Sequence, residues 1–324
     1  MRSKVKFIEI AAMAMTSLSA VASEAWPSRP IRLVVGYPAG GPTDIIARLA
    51  GQELSKELGQ PVVVENKGGG NGLIAAKHVT TQKPDGYTLM LSTDSVQTRA
   101  PALYRSLNYD PVADFTPIAK FAKQGVMMVV NPNVPAQNVK EFIAYAKQHP
   151  GKLNYGATYG ASSHFGGALF DVLNDVDMTA INYPGGNQPI TDLVGGVVQV
   201  GFFTESTVAQ FIKAGKLKAL AAAGSERSRL FPQIPTLQEA GAAKMDVAPW
   251  FGIVAPAKTP PEVVGKLAAA VAKIASSQVF SDALTPLGAM PIKGSTPAKF
   301  SEEIKSDVVY WKKFVVDNKF PVEN

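Results

Sequence analysis

The chain has 324 residues, no cysteine, three histidines and a formal net charge of +6. The lack of cysteine excludes disulfides, thiolate metal sites and cysteine nucleophiles, and the mild, interspersed basic charge gives no case for nucleic acid as a partner. The length exceeds what one compact core usually takes, so two domains are expected.

Residues 1–22 read as a cleavable export signal. Arg2, Lys4 and Lys6 form a basic start, an Ala-rich apolar run interrupted by Glu9 follows, and Ala20-Val21-Ala22 offers a small-residue cleavage site. A periplasmic location is therefore expected, and a cysteine-free exported chain fits it. Cleavage removes three basic and one acidic side chain from totals of 32 and 26, leaving a net charge of +4, which weakly favours small acids. No later stretch reaches about 18 uninterrupted apolar residues, so no transmembrane helix is implied. His78, His149 and His164 are too scattered for a metal site, and no cofactor or metal is expected.

Beyond the leader, strand and helix patterns alternate. Residues 31–36 read as a buried strand and 43–58 as an amphipathic helix. A strand at 61–65, a Gly-rich turn at 68–72 with a helix to about 80, and a strand at 87–91 follow. This βαβαβ order predicts a mainly parallel sheet with right-handed crossovers. Residues 110–116 read as irregular. The pattern restarts with strands at 126–130, 153–156, 178–183, 199–203 and 217–221. Helices at 136–148, 162–173, 187–194 and 206–214 lie between them. A strand at 252–255 and helices at 260–276 and 297–318 close the chain and are expected on the first unit. The chain then crosses twice, near 121–126 and 244–249. That places residues 23–123 and 247–324 in one α/β domain and 124–246 in a second, with a hinged cleft between them.

The first strand runs through Gly36-Tyr37-Pro38-Ala39-Gly40-Gly41 into a helix begun by Pro42, with Thr43 or Asp44 as its cap. Such a start aims unpaired N–H groups and the positive end of the helix dipole outward, a recipe for holding a small anion. Gly36, Gly41 and Thr43 match the spacing of a nucleotide phosphate loop, but Pro42 replaces its lysine, which excludes an ATPase. An ordinary tight turn fits the same residues. Two further turns have similar chemistry. One is Ala157–His164, carrying Thr158, Tyr159, Gly160, Ser162 and Ser163; the other is Pro184-Gly185-Gly186-Asn187. Convergence of the three on one cleft would make a small-anion site. Gly68–Gly72 lacks dinucleotide spacing, because residue 75 is Ala, and reads as a tight turn. Tyr37, Tyr159, Phe165, Phe203 and Trp250 are candidates for apolar walls or for core.

Taken in order, WPSRPIRLVVGYPAGGPTD, LGQPVVVENKGGGNG, KPDGYTLMLS, NYGATYGASSHFGGALF, INYPGGNQPITDLVGGVVQVGFF, GKLKALAAAGSERSRLFPQIPTLQEAG and WFGIVAPAKTPPEVVGKL resemble the Bug/TctC family. These are the extracytoplasmic receptors of tripartite tricarboxylate transporters. The resemblance implies a two-domain, type II-like binding protein closing on a small carboxylate, mono- or dicarboxylate, aliphatic or aromatic. It also implies a two-component membrane permease as partner, and a monomer is expected. It assigns ligand contact to the loops 37–44 and 158–164, to the turn 184–188, and to Ser92 and Thr93 on the cleft floor. Asn182 and Gln199 stand where the family often has His and Asp. Glu205 either faces the cleft, where it would bind an amino group, or is a solvated carboxylate at a helix start. Asp44 reads as a brace rather than a direct contact, and His164, within the ligand-contact loop, as a brace rather than a metal ligand. A hydrolase has no support, since no G-x-S-x-G elbow and no ordered triad is present. A ligand-sensing adaptor for a signalling partner would use the same fold.

Overall fold

The computed structural model describes residues 26–183 and 187–323, so the expected signal segment, Pro184 and Gly185 lie outside it. The first unit contains β1 (Ile31–Val35), α1 (Pro42–Leu58), β2 (Val62–Asn66), α2 (Leu73–Thr80), β3 (Thr88–Thr93), a π-helical turn (Ser95–Arg99), α3 (Ala100–Leu103) and β4 (Phe115–Gln124). The second runs β5 (Val126–Val130), α4 (Val139–Gln148), β6 (Leu153–Thr158), α5 (Ser162–Asn174), β7 (Met178–Tyr183), α6 (Gln188–Val194), β8 (Val200–Thr204), α7 (Glu205–Lys213) and β9 (Lys218–Ala222). The chain then returns as β10 (Trp250–Pro256), α8 (Pro261–Ser276), α9 (Gln278–Leu284), β11 (Ala289–Pro291) and α10 (Pro297–Asp317).

The strand orders are β11-β4-β10-β3-β1-β2 and β7-β6-β8-β5-β9. In each sheet the strands that follow the local βαβ order share one direction. The strand that has just crossed from the other domain, β10 in the first sheet and β5 in the second, inserts antiparallel between them. This exchange makes the arrangement type II. It also means that the two domains are sewn together through the middles of their sheets rather than at an edge.

Strand β4 has no counterpart in the sequence pattern, which leaves residues 110–116 irregular and starts no strand before Val126. Its sequence FTPIAKFAKQ carries Pro117, Lys120 and Lys123. Two register shifts against β10 further break the period-two alternation. Its neighbours β10 and β11, not its own pattern, make it a strand. Gly125, the single residue between β4 and β5, sits where an added Cβ would lie 1.9 Å from a carboxylate oxygen of Glu205. A side chain there would have to displace the buried Glu205 carboxylate.

The first sheet is packed on both faces. Leu33 and Val35 join Ile46, Leu267 and Phe280 on one side, while Val34 and Met90 join Phe300 and Ile304 on the other. Helix α8 covers the first domain as expected, together with α9, which the sequence reading does not include, but α10 does not stay there. Phe300, Ile304 and Val308 pack on the first domain, whereas Trp311, Phe314 and Val315 join the core of the second. Its apolar stripe recurs every three or four residues and is longer than one domain can cover, so the helix straddles both. Phe165 of α5 is the seat of this bridge. Its ring lies 4.6 Å from Trp311 and stacks on Phe320 at 5.1 Å. Replacing Phe165 with Ala removes a fully buried ring, and urea unfolding is expected to show a loss of about 3–5 kcal/mol.

Candidate ligand-binding cleft

A cavity of 260 Å³ opens between the domains. Tyr37, Thr43, Thr93, Thr158, Ser162, Ser163, Asn187 and Phe203 line it, bringing together residues from all three predicted turns and the β3 end. No Lys, Arg or His is among its described lining residues.

Two helix starts face this space. Helix α1 is preceded by Gly41, has no side-chain cap and begins with Pro42, which has no N–H to leave unpaired. The N–H groups of Thr43 and Asp44 lie in its first turn, where no residue four back belongs to the helix. Helix α5 begins after Ala161, also with no side-chain cap bond, so the N–H groups of Ser162 and Ser163 are in the same position. Ser163 Oγ accepts a hydrogen bond from the Thr158 N–H at 3.0 Å and so shapes the loop. On the cleft floor the Tyr37 hydroxyl and Thr93 Oγ1 lie 3.0 Å apart. Burial, opposed by the hydrogen bond to Thr93, pushes the Tyr37 hydroxyl up to about 12, so it stays a proton donor.

Several predicted residues support this surface without lining it. Ala39, Gly40 and Gly41 are exposed or half-exposed members of the first loop, and Gly40 adopts φ +79°, which favours glycine. The Asp44 carboxylate points away from the cleft, as its brace role requires. It accepts hydrogen bonds from the Gly40 N–H, from Arg48 Nε and from Asn66 Nδ2, each at 2.8 Å. Ser92 is sealed in the core and donates to Gln97 Oε1 at 2.7 Å. Gly160 takes the left-handed conformation at φ +73°. Tyr159 turns to the domain junction, where its hydroxyl donates to the carbonyls of Leu103 and Pro321. His164 lies against Phe320, with ring centroids 4.3 Å apart, and is likewise part of that junction.

Glu205 fits neither sequence expectation. It is 1% exposed and buried at the crossing point beside Gly125, where it accepts a hydrogen bond from Ser228 Oγ at 2.7 Å. Burial raises its pKa and Ser228 opposes the rise. It follows directly on β8, whose last residue Thr204 pairs with Val126 at the start of β5, so its side chain turns to the crossing point while Phe203 and Thr204 line the cleft. Of the candidate wall aromatics, Tyr37 and Phe203 line the cleft; Phe165 is core, and Trp250 faces a different cavity.

Sequence reasoning missed Asn71, Thr207, Gln124, Pro249 and Phe251, which also line the cleft. Asn71 was legible in part. It interrupts a Gly-rich turn and adopts φ 52°, a conformation that Asn tolerates better than most residues. Thr207 lies in the first turn of α7, the same signal used for α1 and α5. Gln124 and Pro249 follow from the crossing geometry alone.

The model of the tripartite tricarboxylate transporter family receptor matches residues 46–317. The chain belongs to this family. It is a family of solute receptors and not of enzymes. Protein BugT of Bordetella pertussis is 31% identical over 293 residues, covering 90% of each chain. A Cupriavidus necator protein encoded in the gbd 5′ region is 37% identical over 286 residues, covering 87% of this chain and 86% of its own. Among solved structures, an R. palustris protein with adipate superposes with a TM-score of 0.79 at 32% identity, covering 91% of this receptor and 98% of that chain. MatC from Rhodopseudomonas palustris with bound malate gives 0.74 at 33% identity, covering 90% and 100%.

Two pH dependences follow for this receptor. Burial opposes ionisation of Asp44, but hydrogen bonds from Arg48, Gly40 and Asn66 outweigh it and hold the carboxyl down at about 2. Its stabilisation is present above the ordinary carboxylate range and is lost as pH falls toward 2. Asp44→Asn is expected to remove about 2 kcal/mol at neutral pH and to flatten the acid limb of urea stability below pH 4. Burial holds His164 at about 4, so its neutral form is the folded one. The unfolded chain binds the extra proton between the ordinary histidine value and about 4, and stability falls as pH drops through that window. His164→Leu is expected to reduce the loss between pH 7 and pH 4.5 by up to about 3 kcal/mol.

Proposed function

We infer that the protein is exported to the periplasm, captures a small carboxylate between its two domains and delivers it to a two-component membrane permease of the tripartite tricarboxylate type. The observation that carries this reading is the pair of uncapped helix starts, at Thr43 and at Ser162-Ser163, opening onto one cleft whose described lining has no basic side chain and one carboxylate, Asp94, paired with Arg99. A carboxylate there is held by backbone N–H groups and hydroxyls, which are fixed in place before the ligand arrives. Its body lies on Phe203, Phe251, Pro189 and Ile190. The volume suits a short mono- or dicarboxylate, and the related structures with adipate and with bound malate support that class.

Ligand contacts from both domains favour a closed form, and that form is the one offered to the permease. Isothermal titration of residues 23–324 with aliphatic mono-, di- and tricarboxylates and benzene carboxylates tests the reading. At least one acid is expected to bind one-to-one. Thr43→Val is expected to weaken it by about 5- to 150-fold, the equivalent of about 1–3 kcal/mol for an unmet hydrogen bond to a charge. No binding across the panel, or unchanged affinity in the variant, counts against it.

A further inference from the structure

The strands that cross between the domains have two sides. Gln124, Pro249 and Phe251 face the ligand cleft, and the alternating residues Lys123, Ala248 and Trp250 face a second cavity of 580 Å³. Both domains wall this rear cavity. Lys120 and Lys123 of β4 and Tyr310 and Trp311 of α10 come from one side, and Leu169 of α5 and Lys244 come from the other. Its volume lies in the range of small-molecule sites.

The described lining holds four basic side chains, Arg99, Lys120, Lys123 and Lys244, against three acidic ones, a formal excess of one positive charge. Lys244 pairs with no carboxylate among the described residues. Lys120 and Lys123 pair only with Glu303 and Glu226, whose side chains are 47% and 64% exposed and turn readily to water. Arg99 is 2% exposed, and its Nε has no hydrogen-bond partner. The wall also carries three carboxylates, Asp94, Asp246 and Asp307, one fewer than its basic side chains. Asp94 pairs with Arg99 at 2.8 Å, and Asp246 accepts from the Ala248 N–H at 3.0 Å. Burial raises the pKa of Asp307. Trp250, Tyr310 and Trp311 supply ring faces beside these cations.

We propose that the rear cavity is a second ligand site, for a small anion with a ring-sized apolar body, held by Lys120, Lys123 and Lys244 against the tryptophans. Because both domains form its walls, its occupancy changes with the angle between them. Arg99 links it to the ligand cleft, since Nη1 donates to Ser162 Oγ at 3.4 Å.

Naphthalene-2-sulfonate is a suitable probe, read by tryptophan fluorescence, because two of the three tryptophans line the cavity. Saturable one-to-one binding is expected in the full mature chain. The triple variant K120Q/K123Q/K244Q is expected to weaken it at least tenfold. The control K83Q/K152Q/K213Q, with the same charge change on exposed lysines elsewhere, should stay within twofold. Circular dichroism and urea midpoints check folding. If the triple variant unfolds, K244Q alone is expected to weaken binding about threefold. Non-saturable quenching, equal affinity in the cavity and control variants, or tighter binding of 2-naphthylmethylamine than of the sulfonate overturns the proposal.

Discussion

A helix cannot pair its own first N–H groups, and the proposed function rests on that deficit. Helix α1 and helix α5 both begin without a side-chain cap, and both begin at the edge of the interdomain cleft. Most of the nearby chemistry keeps those starts in place. Asp44 ties the loop to Arg48 and Asn66, and Ser163 ties the end of β6 to the start of α5. On the proposed reading the donors are fixed in advance and need no basic side chain, and none is among the described lining residues.

The same economy governs the hinge. Two crossing strands enter the sheets of the opposite domains, and one residue, Gly125, separates β4 from β5. Glu205 occupies the space a side chain at Gly125 would need. A third connection comes from the end of the chain. Helix α10 begins in one core and finishes in the other, with Phe165 between Trp311 and Phe320. Helix α10 therefore ties the two domains together alongside the two crossing strands. Side chains on alternate faces of those strands divide the interdomain space into a ligand cleft and a rear cavity.

Much of the fold was legible because alternating strand and helix periods are strong where each element is covered on a regular face. The β1–α1 and β6–α5 units were read almost to the residue. Legibility failed where tertiary contacts override local pattern. Strand β4 carries two lysines and a proline, and bulges scramble its alternation. The stripe on α10 announces a buried face but not that two different cores share it. In the site, strand-turn-helix chemistry pointed to Thr43, Thr158, Ser162 and Ser163, all of which line the cleft. It could not tell which loop residues turn inward, so Ser92, Tyr159, His164 and Glu205 were grouped with residues that reach the cleft. Asn71, Gln124 and Pro249 reach it through contacts distant in sequence, which no local signal records.

The central claim is that backbone N–H groups from both domains grip one anion. The most direct measurement is the amide NMR spectrum of the labelled receptor during titration with the tightest acid found by calorimetry. The account predicts that the amide protons of Thr43, Asp44, Ser162 and Ser163 move downfield together, in one saturable step. Movement confined to one helix start, or no movement at either while the acid binds, would contradict it.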